Sequence, residues 1–272
     1  MAARRRLDTE LVRRGLAPSR AEAQRLIADG LVAVAGTTVT KAASLIEAAA
    51  AVLVREAAEA AYASRGGHKL AGALDELGLD LSGRHVLDAG AAHGGFTDVA
   101  LRRGAARVIA VDVAYGQLDW RLRSDPRVVV LERTNVRHLT PADVPRPAPD
   151  VVVADLSFIS LALVLPALRS VAAETADFAL MVKPQFEAGR QAVRRGGVVK
   201  DPAAWEAAMH AVIEAGNALG LATAGVAAST LPGPSGNIEF FVHLVAGGTA
   251  DPPAAVATAI ADGLELQARD RG

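Results

Sequence analysis

The chain has 272 residues, so one large domain or two unequal ones are both allowed. Apolar residues make up 51% of it, yet alanine dominates them, and no run approaches the roughly eighteen apolar residues of a spanning helix, which argues against a membrane protein. Cysteine is absent, which removes disulfides, thiolate metal sites and cysteine nucleophiles, and a formal net charge of −1 leaves any polyanion contact to local clusters.

The basic start, Met1 to Arg6, is followed by Asp8, Glu10, Arg13 and Arg14, which interrupt any apolar core of a signal peptide, so a cytoplasmic location is expected. Residues 1–29 hold seven arginines against four acids, a local basic cluster or a solvated helix face. From Arg4 to about Val54 the pattern predicts two short helices and a small β element. Leu7, Leu11 and Val12 share one helical face. After a turn at Gly15 to Pro18, Ser19 and Glu22 form a capping box, and Ala23, Leu26 and Ile27 make the buried stripe of a second helix closed by Gly30. Leu31 to Val34 and Ala51 to Val54 read as short strands.

Periodicity fades from Glu56 and ends in Gly66-Gly67, which reads as a linker. The predicted organisation is a small α+β domain over 1–59, a linker over 60–68 and a larger domain over 69–272. In the larger part, strand-like runs (84–88, 107–112, 127–131, 150–155, 178–183) alternate with helical segments, which predicts an α/β fold with a doubly wound parallel sheet. Two late strands, 222–229 and 237–245, predict an antiparallel hairpin finishing the sheet, and a short helix is expected after Asp251.

Val86 to Thr97 is an apolar strand, a glycine turn and a helix start, a layout that lets backbone approach a ligand at a helix N-terminus. The glycine spacing is G-x-x-x-G-G and not G-x-G-x-x-G, because position 92 is alanine, which favours S-adenosylmethionine over a nicotinamide dinucleotide. Candidate cofactor residues are Asp88, Gly90, Ala91, Gly94, Gly95, Phe96, Thr97, Asp112 for the ribose hydroxyls, Asn135 near the adenine, and Asp155. Asp112 and Asn135 are also readable as ordinary strand-end caps, and His93 as a loop residue.

Three charges stand where a doubly wound sheet places its chemistry: Asp155 after Val151 to Ala154, Lys183 after Ala179 to Val182, and Glu239 between Ile238 and Phe240. Lys69 enters from the preceding helix. Charges embedded in apolar runs are costly unless paired or functional. The chain uses four lysines beside twenty-five arginines, so Lys69 and Lys183 are not fillers; a desolvated lysine, unlike arginine, can give up its proton.

Residues 4–54, carrying Arg6-Leu7-Asp8, Ser19-Arg20 and Gly30-Leu31-Val32, are similar to the S4 domain, a small RNA-binding module; that resemblance implies RNA contacts by Arg4, Arg6, Arg20 and Lys41. The stretches Ser64 to Leu70, Asp88 to Gly90 with Gly94 to Thr97, Asp155 to Leu161, Val182 to Glu187 and Pro232 to Glu239 resemble the TlyA family of FtsJ-type methyltransferases, often named haemolysins. The basic start and helical tail resemble its longer subtype. The resemblance implies S-adenosylmethionine-dependent 2′-O-methylation of cytidine in ribosomal RNA of one or both subunits, with a catalytic tetrad of Lys69, Asp155, Lys183 and Glu239. Here His93 stands where the family often has a small hydroxyl residue.

A ribose hydroxyl is a poor nucleophile, so the expected mechanism is alignment and proton removal, with Lys183 as base or orienting group held by Asp155, and no metal. Arg65 and Arg190 are expected phosphate contacts for a cytidine turned out of its stack. Ribosomal RNA is the expected partner, with no membrane and no obligate protein partner. The rival readings are a non-catalytic RNA-binding assembly factor and a membrane-active haemolysin. A base-amino methyltransferase is disfavoured because Asp155-Leu156-Ser157-Phe158 lacks the prolines of an Asp-Pro-Pro-aromatic motif, and a pyrimidine carbon-5 enzyme because cysteine is missing.

Overall fold

A computed structural model describes residues 4–17, 19–28, 30–47, 49–54, 62–187, 197–233, 235–246 and 252–269. The chain divides into two compact units, Met1–Ala61 and Tyr62–Gly272.

The first unit runs β1 (Arg4–Arg6), α1 (Leu7–Arg13), α2 (Arg20–Ala28), β2 (Val32–Val34), β3 (Thr37–Thr38), β4 (Leu45–Glu47) and β5 (Val52–Val54). Antiparallel β3-β2-β5 and a β1-β4 pair close a core of Leu7, Leu11, Ala17, Ala23, Ile27, Val32 and Ile46. The capping box forms at one end, with the Glu22 N–H donating to Ser19 Oγ at 3.1 Å. Val12 does not join the buried face expected of it; it is exposed, while Leu7 and Leu11 fill the core. Arg4–Arg6 is a strand, which its charge concealed, and all three residues are exposed along it while Arg4 lies opposite Glu47.

The second unit runs α3 (Arg65–Leu77), β6 (His85–Ala89), α4 (Gly95–Arg102), β7 (Arg107–Val111), α5 (Trp120–Arg123), β8 (Val128–Leu131), β9 (Val151–Ala154), α6 (Leu161–Val171), β10 (Asp177–Val182), α7 (Pro184–Glu187), α8 (Pro202–Asn217), β11 (Leu221–Ala228), β12 (Phe240–Ala246) and α9 (Pro252–Arg269). Its seven-stranded sheet has the order β11-β12-β10-β9-β6-β7-β8, parallel except for β12, which is inserted antiparallel between β10 and β11. The expected hairpin therefore exists, with its later strand innermost.

Period-two alternation divides the sheet's side chains between two cores. Leu87, Ile109, Val111, Val152, Leu180 and Val242 face the layer containing α6, α8 and α9. Val86, Val108, Val151, Val153, Met181 and Phe241 face the layer with α3 and α4. Burial on both faces explains the nearly continuous apolar strands.

Two expectations need correction. Gly66-Gly67 is not a flexible linker but the first turn of α3, with Ser64 as its N-cap. Gly67 lies under Tyr62, where an added Cβ would come 2.3 Å from the tyrosine Cβ, so glycine serves close packing there. The C-terminal helix is not short: α9 spans 18 residues, and Val256 and Ala259 bury into the core.

Candidate active site

Four strand ends and one strand start meet along the carboxyl edge of the sheet. Gly90 follows β6, Asp112 follows β7, Asp155 follows β9, Lys183 follows β10, and Glu239 immediately precedes the antiparallel β12. Antiparallel insertion is what brings the start of β12 to this edge.

Gly90 has φ +91°, and a Cβ there would meet the Asp155 carbonyl oxygen at 2.4 Å. The glycine turn thus fixes how closely Asp155 approaches the β6 loop. Gly94 (φ +93°) N-caps α4, and Gly95 abuts α3, its added Cβ falling 2.2 Å from Ser64 Oγ. Ala92 is also left-handed, at φ +45°, and its N–H donates to Asp112 Oδ2 at 2.8 Å while the Ala114 N–H donates to Oδ1 at 2.7 Å. Asp112 borders a shallow, solvent-open recess with Ala91, Ala92, Ala114, Gln117, Leu118 and Glu132. Each of its oxygens keeps a lone pair free for a ribose hydroxyl.

Asp88 has no exposed surface. Its Oδ2 accepts from the Thr97 hydroxyl at 2.7 Å, whereas Oδ1 has no partner among the described residues. Burial pushes this carboxyl up to about 7, helped by the charges of Asp155 and Asp112 and opposed by Thr97. A buried acceptor lacking a partner beside the glycine turn suits the amino group of an amino-acid-bearing ligand that reaches it through water. With Asp112 at the end of β7, these residues fit S-adenosylmethionine, which carries an amine and a ribose.

Not every candidate faces that space. Phe96 is 3% exposed and packs against Phe241 at a ring separation of 6.1 Å, so its side chain belongs to the core and only its backbone is available at the turn. Thr97 is turned inward to Asp88. Asn135 is exposed and caps a short 3₁₀ turn, accepting from the Arg137 N–H at 3.0 Å. His93 is exposed in the loop.

The four tetrad candidates form two ion pairs. Lys69 Nζ donates to Glu239 Oε2, with the side chains only 7% and 2% exposed. Lys183 Nζ lies 2.5 Å from Asp155 Oδ1 and also donates to Ser157 Oγ at 3.1 Å. The first turn of α3 joins the pairs: Lys69 projects to Glu239, while Gly66, one turn earlier, faces Asp155, where an added Cβ would stand 3.6 Å from Oδ2. Gly233 admits Glu239, since a Cβ there would fall 2.7 Å from Oε1. Asn237 holds this loop by accepting from the Val199 N–H at 2.9 Å and donating to the Gly197 carbonyl at 3.0 Å.

Two features escaped the sequence reading. Phe158 is 91% exposed at φ +64°, beside Phe186 at 5.1 Å, an aromatic ring held in a strained backbone next to the Lys183 pair. Glu187 clamps the neighbouring loops, accepting from the Ser160 hydroxyl at 2.5 Å and the Leu161 N–H at 2.8 Å. Exposure and cross-loop contacts of this kind leave no periodic trace in a sequence.

Of the expected RNA contacts, Arg4, Arg6, Arg20 and Lys41 are exposed on the first unit. Arg6 and Arg20 both engage the buried Asp8, at 2.9 Å and 3.0 Å, and Arg4 lies 3.7 Å from Glu47. Arg65 opens α3 and donates to the Pro232 carbonyl at 3.4 Å. Arg190 lies outside the described residues. Among the described residues no helix is long and apolar enough to cross a membrane.

The FtsJ-like methyltransferase family profile matches residues 62–246, and the S4 domain profile matches 5–52. The chain is 54% identical over 244 residues to the 16S/23S rRNA (cytidine-2′-O)-methyltransferase TlyA of Mycobacterium tuberculosis (strain ATCC 25618 / H37Rv), covering 90% of this chain and 91% of that protein. It is 35% identical over 240 residues to Hemolysin A of Brachyspira hyodysenteriae, covering 88% and 99%. A solved structure from Streptococcus thermophilus, described as a hemolysin, superposes with a TM-score of 0.77 at 33% identity, covering 100% of this chain and 99% of that one.

Proposed function

The chain belongs to the TlyA family of FtsJ-like methyltransferases, and from that premise we propose that it methylates the 2′-hydroxyl of cytidine in ribosomal RNA, of the small subunit, the large subunit or both. The observation that carries this reading is the pairing of Lys183 with Asp155 beside the buried Lys69–Glu239 pair, on the edge where the glycine turn lies. The first unit, matched by the S4 domain profile, supports an RNA substrate, engaged through Arg4, Arg6, Arg20 and Lys41.

S-adenosylmethionine, when bound, supplies a methyl group already activated on a sulfonium; Asp88, Asp112 and the backbone of Gly90, Ala91, Gly94 and Gly95 would hold it. What remains for the protein is to align the hydroxyl and remove its proton. Lys183 takes that role, its amine held between Asp155 and Ser157. Asp155 fixes the amine in place, and Lys69 with Glu239 sets the local charge and positions the ribose. Arg65, at the start of α3, would contact a phosphate of the displaced cytidine.

The test is transfer of tritium-labelled methyl to separated ribosomal subunits, followed by nucleoside analysis. 2′-O-methylcytidine is expected from wild type and none from Lys183→Ala, which should still bind the cofactor with near-wild-type affinity. Turnover by Lys183→Ala at the wild-type rate would refute the role of the lysine; RNA binding without methyl transfer by wild type would favour an assembly factor.

A further inference from the structure

We infer that Ser157 is a positioning residue for Lys183 and the outlet for the proton that Lys183 removes, an inference that rests on the methyltransferase reading above. A lysine amine that is to take a proton has two N–H donors and one lone pair, and the lone pair must face the hydroxyl. Asp155 Oδ1 takes one at 2.5 Å and Ser157 Oγ a second at 3.1 Å, which leaves a single direction for the ribose hydroxyl.

The backbone explains why the hydroxyl is there. Leu156 packs at Gly90, where an added Cβ would meet its Cδ2 at 3.0 Å, and Phe158 adopts φ +64°. Between an anchored residue and a reversed one, Ser157 is held at the turn next to Lys183 while remaining exposed.

Chemistry separates Ser157 from the other groups present. When the Lys183 amine takes the proton, the ribose O–H bond breaks and an N–H bond forms; the amine must lose that proton before the next turnover. Asp155 can accept it only by becoming neutral, which abolishes the pair that holds Lys183. Lys69 and Glu239 are locked to each other with 7% and 2% of their side chains exposed. A serine hydroxyl forms a new O–H bond with the proton from nitrogen while its own proton passes to solvent, and ends unchanged.

The experiment compares wild type, Ser157→Ala and Ser157→Thr in methyl transfer to ribosomal subunits across pH, with cofactor affinity measured separately. The chain has four lysines, Lys41, Lys69, Lys183 and Lys200, so protein carrying carbon-13 at the lysine ε position gives four assignable signals for a second readout. Ser157→Ala should lower kcat roughly tenfold, the order of a hydrogen bond to a charged group, with KM for RNA unchanged. It should also displace the rising limb of kcat against pH and change the titration of the Lys183 signal. Ser157→Thr should restore all three. Wild-type turnover with an unaltered profile in Ser157→Ala, an effect on KM alone, or failure of threonine to rescue would overturn the proposal by itself. Absence of methyl transfer by wild type would instead sink the methyltransferase reading, and this proposal with it.

Discussion

Asp88 couples the glycine turn to pH. Burial raises its carboxyl from 3.8 to about 7, so the folded state prefers the neutral form. Its contribution to stability is therefore full below the unfolded value and is lost as pH rises through about 7. Wild type should lose stability over that window, by at most roughly 4 kcal/mol for a shift of this size, and Asp88→Asn should flatten the slope. Urea unfolding at a series of pH values checks this, and an undiminished slope in the variant would assign it to another group. Phe158 poses the opposite case, a large side chain whose loss should not unfold anything. It is 91% exposed at a left-handed φ that asparagine tolerates better than phenylalanine. Phe158→Asn should leave the melting temperature unchanged or slightly higher, yet raise KM for RNA about tenfold if the ring stacks on a base. Equal KM in the two proteins would deny the ring any part in RNA binding.

Elements show how much was legible beforehand and what was hidden. Strands β6, β7, β9 and β10 were readable because both faces of a parallel sheet are buried, and Asp155, Lys183 and Glu239 stood out as charges beside such strands. Their pairing was only partly readable. Nothing local says that Lys69 meets Glu239, 170 residues away, since that contact depends on β12 being inserted antiparallel. The start of α3 is hidden for a similar reason: glycine pairs resemble linkers in sequence, and the Tyr62 ring that fills the space above Gly67 is visible only in three dimensions. Gly67→Ala should accordingly destabilise the second unit by about 1–3 kcal/mol through overpacking. Gly78→Ala, where the C-cap has φ +65° and nothing lies within 4 Å of an added Cβ, should cost about 1 kcal/mol from backbone strain alone. Thermal unfolding of the two variants measures the difference; equal losses would mean that Tyr62 yields to the methyl group.

At the scale of the whole molecule, a net charge of −1 conceals a division of labour between two compact units. The second unit contains the four candidate catalytic residues, whereas the first displays arginines around the buried carboxylates of Asp8 and Glu10. Asp8 lies well below the usual carboxylate range, chiefly through its hydrogen bonds from Arg6, with Gln24, Arg20 and the Thr9 N–H adding to the effect against burial. It therefore holds both guanidiniums in fixed positions without removing them from solvent, the arrangement a phosphate-binding surface needs. Combining Arg6→Gln with Arg20→Gln leaves amide donors for Asp8 while deleting two positive charges. If the first unit grips RNA and the second performs the chemistry, affinity for ribosomal RNA should fall, and the slope of log K against log salt should become shallower by about 2. At saturating RNA kcat should stay at the wild-type value, because none of the four candidate catalytic residues has been touched. A lower kcat at unaltered affinity and salt slope would overturn that division, showing that these arginines act on the chemical step and not on RNA capture.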